Sequence, residues 1–139
     1  MIIVGGGRVG CEIADFLAQR GKRVVIVEIL PALFSEEAAN FRPRVLLLRR
    51  LKSSGVRCYL DVKKEKITDF GMEIQDAEGK VVSLKADSVV LAAGSAASDD
   101  TLSLLLQEKI SEIFKIGDCV KPRQILEAIR EGAEAALQI

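Results

Sequence analysis

The 139-residue sequence carries 20 Lys and Arg against 20 Asp and Glu, so its formal net charge is zero. This balance argues against nucleic acid or a charged membrane surface as a partner, because both select for excess positive charge. Hydrophobic residues make up 49% of the chain, which is enough for a packed core. No basic and apolar leader opens the sequence, so we expect one cytoplasmic domain spanning residues 1–139.

Three cysteines are widely spaced, at Cys11, Cys58 and Cys119, and the chain has no histidine. An odd number of cysteines without a paired spacing does not predict a disulfide framework. Without histidine, the chain also lacks the commonest metal ligand and general base. We therefore expect no metal site built from this chain alone.

The first 28 residues predict a strand, a glycine turn, a helix and a second strand. The apolar run Met1–Val4 predicts a buried parallel strand, and Arg8–Arg20 has helical spacing of its apolar residues. Gly21 is placed to end that helix, and the β-branched run Arg23–Glu28 predicts the next strand. Together these segments predict a βαβ unit.

The pattern then continues with a loop at Pro31–Phe34 and a helix from about Glu36 to Ser53. Pro43 lies inside that helical pattern, so we expect a kink or a late start there. Val56–Leu60 predicts a third parallel strand.

Short alternating segments follow, at Lys63–Phe70, Met72–Asp76 and Val81–Leu84, and they predict a small antiparallel meander. Ser88–Ala93 predicts a return to the parallel sheet, ending at Gly94.

The last third predicts a short helical turn at Leu102–Leu106, a strand at Ile113–Ile116 and a helix from about Arg123 to Ile139. The alternation of strands and helices indicates an α/β fold with a parallel sheet, an antiparallel meander and flanking helices.

The turn after the first strand reads Gly5-Gly6-Gly7-Arg8-Val9-Gly10, which fits the dinucleotide-binding pattern GxGxxG. In this pattern Gly5 permits the tight turn, Gly7 admits a pyrophosphate, and Gly10 lets the helix pack closely on the strand. The helix N-terminus adds free amide groups and the positive end of a dipole. The context of strand before and helix after strengthens an otherwise weak motif. We expect this Rossmann-like loop to bind phosphate.

Glu28, at the end of the second strand, stands where an acid accepts hydrogen bonds from the adenosine ribose. A carboxylate there favours NAD or FAD over NADP, although a solvated glutamate at a strand end is the simpler alternative. Arg8 is placed either to touch a phosphate or to face solvent. Gly94 is placed either at the ligand-binding edge of the sheet or in a tight strand exit.

The run from residue 3 to residue 14, Ile-Val-Gly-Gly-Gly-Arg-Val-Gly-Cys-Glu-Ile-Ala, resembles the NAD-binding domain of the pyridine nucleotide–disulfide oxidoreductase superfamily. The same holds for Val89–Gly94 and for Ile116-Gly117-Asp118-Cys119. The run Lys115–Ala136 is similar to the carboxyl end of NADH:flavin oxidoreductases of the dienoyl-CoA reductase and enoate reductase type.

This resemblance implies that residues 1 to about 110 correspond to an NAD-binding insert and residues 111–139 to the returning part of an FAD domain. It further implies that Asp118 contacts the flavin's ribityl or pyrophosphate region, and that Glu12 lies near the nicotinamide. The family's separate FAD loop and its redox-active cysteine pair are absent here. We therefore expect a fragment that is not catalytic alone, and no catalytic residue is assigned.

Three hypotheses remain open on the sequence. The first is an NAD(H)-binding module that holds NADH for hydride transfer to a flavin carried by a missing domain or a partner chain. The second is a compact FAD-binding domain, in which Ile113–Ile116 docks beside Ser88–Ala93 in a sheet of order 3-2-1-4-5 and brings Asp118 near Gly5. Its variant is a homodimer that exchanges residues 111–139. The third is a non-catalytic remnant that acts as an interaction domain.

Overall fold

The computed structural model describes residues 1–35, 42–98, 104, 106, 109–110 and 112–139. The chain divides into two compact units, Met1–Gly94 and Ser95–Ile139. The strands are β1 (Ile2–Val4), β2 (Val25–Val27), β3 (Arg57–Tyr59), β4 (Lys64–Thr68), β5 (Gly71–Gln75), β6 (Val81–Lys85) and β7 (Val89–Leu91). The helices are α1 (Arg8–Gln19), α2 (Arg42–Ser53) and α3 (Ile125–Ala136). The assignment of residues 1–110 and 111–139 to two parental domains stays a prediction.

A four-stranded parallel sheet forms the centre of the first unit, in the order β3-β2-β1-β7. In β1, Ile3 pairs with Ile26 of β2 on one side and with Val90 of β7 on the other. Strands β1, β2 and β7 are apolar runs rich in β-branched residues, which suit a sheet that is covered on its faces, whereas the edge strand β3 (Arg57–Tyr59) is mostly exposed. The predicted α/β fold is therefore confirmed, and these four strands stand in the predicted order.

The meander forms a separate antiparallel sheet in the order β4-β5-β6. Met72 on β5 pairs with Ile67 of β4 and with Leu84 of β6. Gly79, with φ +82°, turns the chain between β5 and β6, and Asp76 Oδ1 accepts the Lys80 N–H at 2.8 Å. Apolar and polar positions alternate along these strands, which fits one covered face and one exposed face.

Two apolar clusters make the first unit a sandwich of three layers. Ile2 and Val4 pack with Met72 and Ile74 of the antiparallel sheet. Ile3, between them in sequence, packs on the opposite side with residues of α1 and α2. Successive strand side chains point to opposite faces, so one three-residue strand serves both layers. Burying each isoleucine fully contributes about 1.5–3 kcal/mol.

An ion pair joins the two helices of the first unit. The Asp15 side chain is only 8% exposed, and its Oδ2 lies 2.8 Å from Nη2 of Arg50 on α2. Gln19 Nε2 donates to the same carboxylate at 2.8 Å. A buried carboxylate is stable only with such partners, so this contact fixes the packing of α2 on α1.

Within the described residues, α2 runs from Arg42 to Ser53 and includes Pro43, and the predicted kink or late start there stays a prediction. Residues 36–41 of the predicted helix lie outside the described residues. So does most of the predicted turn at Leu102–Leu106.

The prediction of a fifth strand at Ile113–Ile116 was wrong, so the parallel sheet has only the first four strands of the predicted order 3-2-1-4-5 among the described residues. This segment forms no strand, and neither sheet of the described residues includes it. A strand exists only when its backbone pairs with a neighbour, and among the described residues β7, the predicted partner of this segment, pairs with β1 alone. The segment instead leads into a short 3₁₀ turn at Gly117–Cys119.

The last helix, α3, is shorter than predicted and carries an exposed apolar stripe. Ile125 and Ile129 are 78% and 65% exposed, and Leu137, directly after the helix, is 88% exposed. Its start is closed by Glu127, whose Oε2 accepts the Gln124 N–H at 3.2 Å, which is a capping-box contact.

Candidate functional site

The glycine loop connects β1 to α1 and is pressed against the end of β7. Gly5 has φ +107°, a conformation that L side chains rarely adopt. A Cβ built on Gly5 would lie 2.2 Å from the Ala92 carbonyl oxygen. The Gly5 N–H also donates to the Val27 carbonyl at 2.8 Å. Glycine is therefore required here both by the backbone angle and by space.

Gly7 and Gly10 differ sharply in their surroundings. A Cβ on Gly10 would lie 2.0 Å from the Gly5 carbonyl oxygen, whereas a Cβ on Gly7 would meet no atom of the described residues within 4 Å. Gly10 thus lets α1 pack onto the loop, which is the steric role that the motif predicts. Gly7 faces open space, so packing against the described residues does not require a glycine at this position. This cradle fits a phosphate group approaching the backbone.

Gly7 is also the N-cap of α1, and it has no side chain to cap the first turn. The first helical bond runs from the Cys11 N–H to the Gly7 carbonyl at 3.0 Å. The amide groups at a helix start and the helix dipole favour an anion. Arg8, Val9 and Glu12 follow on the exposed side of these first turns. They are placed to reach a ligand at the loop, and their contact with one stays a prediction.

Glu28 follows β2 directly and lies beneath the glycine loop. The residue is only 8% exposed. Its Oε2 accepts the N–H of Gly6, and its Oε1 accepts the N–H of Leu30 at 2.8 Å. The structure therefore excludes the alternative of a solvated glutamate at a strand end. Binding of ribose by Glu28 stays a prediction.

Gly6 is a site residue that the motif did not single out. A Cβ there would lie 2.5 Å from Leu33 Cδ2 and 3.0 Å from Glu28 Oε2. The pattern GxGxxG leaves this position free, so only the unbroken run of three glycines hinted at a constraint. The contact with Leu33 comes from a loop 27 residues further on, which no local pattern reveals.

The two remaining predicted residues are distant from this loop in sequence, and only Gly94 belongs to the same structural unit. Gly94 follows β7 at the carboxyl edge of the parallel sheet, and its φ of +91° explains the glycine. Asp118 belongs to the second unit, where its Oδ1 accepts the Arg123 N–H at 3.1 Å. Asp118 thereby ties the 3₁₀ turn to the start of α3, and its predicted flavin contact stays a prediction.

One carboxylate in the second unit has a clearly shifted pKa. The Gly117 N–H donates to Glu131 Oε2 at 2.7 Å, and Arg123 Nη2 lies 2.6 Å from Glu131 Oε1. These contacts, the amide hydrogen bond foremost, hold the pKa of Glu131 below its usual value. The interaction fixes α3 onto the turn that carries Asp118.

The described residues contain neither a metal-binding cluster nor a membrane-spanning helix. No group of three or more Cys, Asp or Glu side chains is placed to hold a metal ion within the parts of the chain that the structure describes. Among the same residues, no helix is long and apolar enough to cross a membrane.

The family model for pyridine nucleotide-disulphide oxidoreductases matches residues 1–132. The chain belongs to this family. The resemblance seen in the glycine loop and in Ile116–Cys119 is thus confirmed.

Relatives of this pyridine nucleotide-disulphide oxidoreductase chain are much longer proteins. It is 31% identical over 141 residues to an NADH oxidase of Thermoanaerobacter brockii, covering 100% of this chain and 21% of that protein. It is 34% identical over 137 residues to a bilirubin reductase of Mediterraneibacter gnavus, covering 98% of this chain and 21% of that protein. The chain thus spans about a fifth of the curated relatives that it matches.

The chain is also similar to parts of larger solved structures. A 2-naphthoyl-CoA reductase in complex with 2-naphthoyl-CoA superposes with a TM-score of 0.82 at 28% identity, over 99% of this chain and 21% of that one. A histamine dehydrogenase from Rhizobium sp. 4-9 superposes with a TM-score of 0.77 at 21% identity, over 97% of this chain and 22% of that one. The second match supports the fold alone.

Proposed function

We propose that the first unit, Met1–Gly94, binds an adenine dinucleotide and prefers NAD(H) to NADP(H). In this proposal it holds NADH for hydride transfer to a flavin that another part of a larger oxidoreductase carries. The observation that carries the proposal is the contrast within the glycine loop. At Gly5, Gly6 and Gly10 the protein's own atoms occupy the place where a Cβ would lie, while at Gly7 no atom of the described residues does.

The residues around the loop suit the parts of a dinucleotide. The uncapped start of α1 offers amide groups and a positive dipole end to the diphosphate. The Glu28 carboxylate has acceptor sites beyond its two amide partners, and these suit the ribose hydroxyls. A 2′-phosphate would meet this carboxylate and a following stretch, residues 29–33, that contains no Lys or Arg. NADP(H) is therefore disfavoured.

Bound NADH supplies the hydride itself, so the chain's task is orientation. The name of the NADH oxidase relative, at 31% identity over the whole chain, supports NADH as the dinucleotide. Because the chain covers only 21% of that relative, we place the flavin and the final substrate outside these residues. FAD binding by the chain itself is the competing hypothesis, and the same experiment measures it.

The test is calorimetric titration of the purified chain with NADH, NADPH and FAD in separate runs. We expect binding in the micromolar range for NADH and binding at least about ten-fold weaker for NADPH. Gly7→Val should abolish NADH binding without unfolding the protein, since its side chain would fill the open cradle. Ser83→Val, an exposed position on β6, serves as the matched control.

Two results would contradict the proposal. One is the absence of NADH binding by the parent chain. The other is a Gly7→Val variant that binds NADH as tightly as the parent. Tight FAD binding without NADH binding would favour the compact FAD domain instead.

A further inference from the structure

The Gly6 peptide is held from both of its sides. Its N–H donates to Glu28 Oε2, and its carbonyl accepts the Phe34 N–H at 2.9 Å and the Cys11 thiol at 3.4 Å. Gly6 itself is buried although it stands one residue before the exposed Gly7. The orientation of the phosphate loop is therefore set by contacts beneath it.

Glu28 is itself held firmly, which makes it a fixed support. Its backbone N–H donates to the Tyr59 carbonyl at 2.9 Å, and its carbonyl accepts the Val62 N–H at 3.1 Å. Its second carboxylate oxygen accepts the Leu30 N–H at 2.8 Å. Each oxygen thus has one amide partner, and the side chain is buried.

We propose that Glu28 is a positioning residue for the phosphate loop, acting through the Gly6 amide independently of any contact with ribose. This inference rests on the proposed function, since it concerns the affinity of the same loop. A run of glycines loses much conformational freedom when it is ordered. A support that orders the loop before the ligand arrives removes that cost from binding.

The chemistry of the carboxylate makes the inference testable with an isosteric change. In Glu28→Gln one oxygen becomes an NH₂ group, which donates and cannot accept. One of the two amide groups, that of Gly6 or that of Leu30, then faces a donor. Glu28→Asp keeps the charge but is one methylene shorter, so it provides a second variant in which the two amide contacts cannot both be reached.

The experiment separates ribose recognition from loop positioning by changing the ligand as well. ADP-ribose and an analogue lacking the 2′ and 3′ hydroxyls of the adenosine ribose are titrated into the parent, Glu28→Gln and Glu28→Asp. Amide hydrogen exchange of Gly6 is measured by NMR in the same proteins without ligand. Glu73→Gln, at an exposed position on β5, is the matched control.

We expect both Glu28 variants to bind both ligands about ten-fold more weakly, the factor for one lost charge-assisted hydrogen bond. In both Glu28 variants the Gly6 amide hydrogen should exchange at least about ten-fold faster than in the parent. In Glu73→Gln it should exchange at the same rate as in the parent. Weaker binding of ADP-ribose alone, or unchanged exchange at Gly6, would overturn the inference. If the parent binds neither ligand, the proposed function fails, while Gly6 exchange still decides whether Glu28 holds the loop.

Discussion

Replacing Gly10 by alanine tests the steric account of the loop most directly. The added Cβ would lie 2.0 Å from the Gly5 carbonyl oxygen, about 1 Å closer than real Cβ contacts come. Both atoms belong to the backbone or are fixed to it, so no rotamer change relieves the overlap. Helix α1 must therefore move away from the loop.

The magnitude follows from two opposing terms. Overpacking of this kind costs about 1–3 kcal/mol or more, and alanine regains about 1 kcal/mol of helix propensity. Because the strain is between backbones, we expect the upper part of this range and a net loss of about 2 kcal/mol. For a unit of this size, that loss lowers the melting temperature by roughly 8–16 °C.

Gly7→Ala is the matched comparison, because a Cβ there meets no atom within 4 Å in the part of the chain that the structure describes. The loss of a glycine N-cap and the smaller entropy of the unfolded chain oppose each other, so stability should change by less than about 1 kcal/mol. Urea and thermal unfolding followed by circular dichroism measure both variants. Equal stability of Gly10→Ala and the parent, or a larger loss in Gly7→Ala than in Gly10→Ala, would refute the steric account.

Two further predictions concern ion pairs outside the loop. Arg50→Ala should lower the free energy of unfolding by about 1–3 kcal/mol, because it leaves the buried Asp15 carboxylate short of a partner. Replacing the exposed Arg49 by alanine should change the free energy of unfolding by less than about 0.5 kcal/mol, as measured by urea unfolding. Equal losses of stability in Arg50→Ala and Arg49→Ala would contradict the role of the Asp15–Arg50 ion pair. The hydrogen bond from the Gly117 amide holds the pKa of Glu131 below its usual value, so the ionised Glu131 side chain stabilises the folded protein at pH values above the unfolded-state pKa. That stability should disappear as the pH falls through the folded-state pKa. Carboxyl NMR titration and acid unfolding of Glu131→Gln check this, and an ordinary Glu131 pKa would contradict it.

The sequence alone determined the features that depend on neighbouring residues. Strand, glycine turn, helix and strand follow from apolar periodicity and from glycine spacing, both of which act over a few residues. The alternation in residues 63–84 likewise predicted the meander. The same local logic placed Glu28 at the end of β2, close to the loop.

Only the tertiary structure decided which groups meet across the chain. Gly6 and Glu28 are 22 residues apart, and Asp15 and Arg50 are 35 apart. The run Ile113–Ile116 has the composition of a strand and forms none, because a strand depends on a partner that its own residues do not specify. The physical reason is the same in each case. Periodicity reports which side of an element is apolar, whereas hydrogen bonds and strand pairing depend on what the folded chain brings alongside.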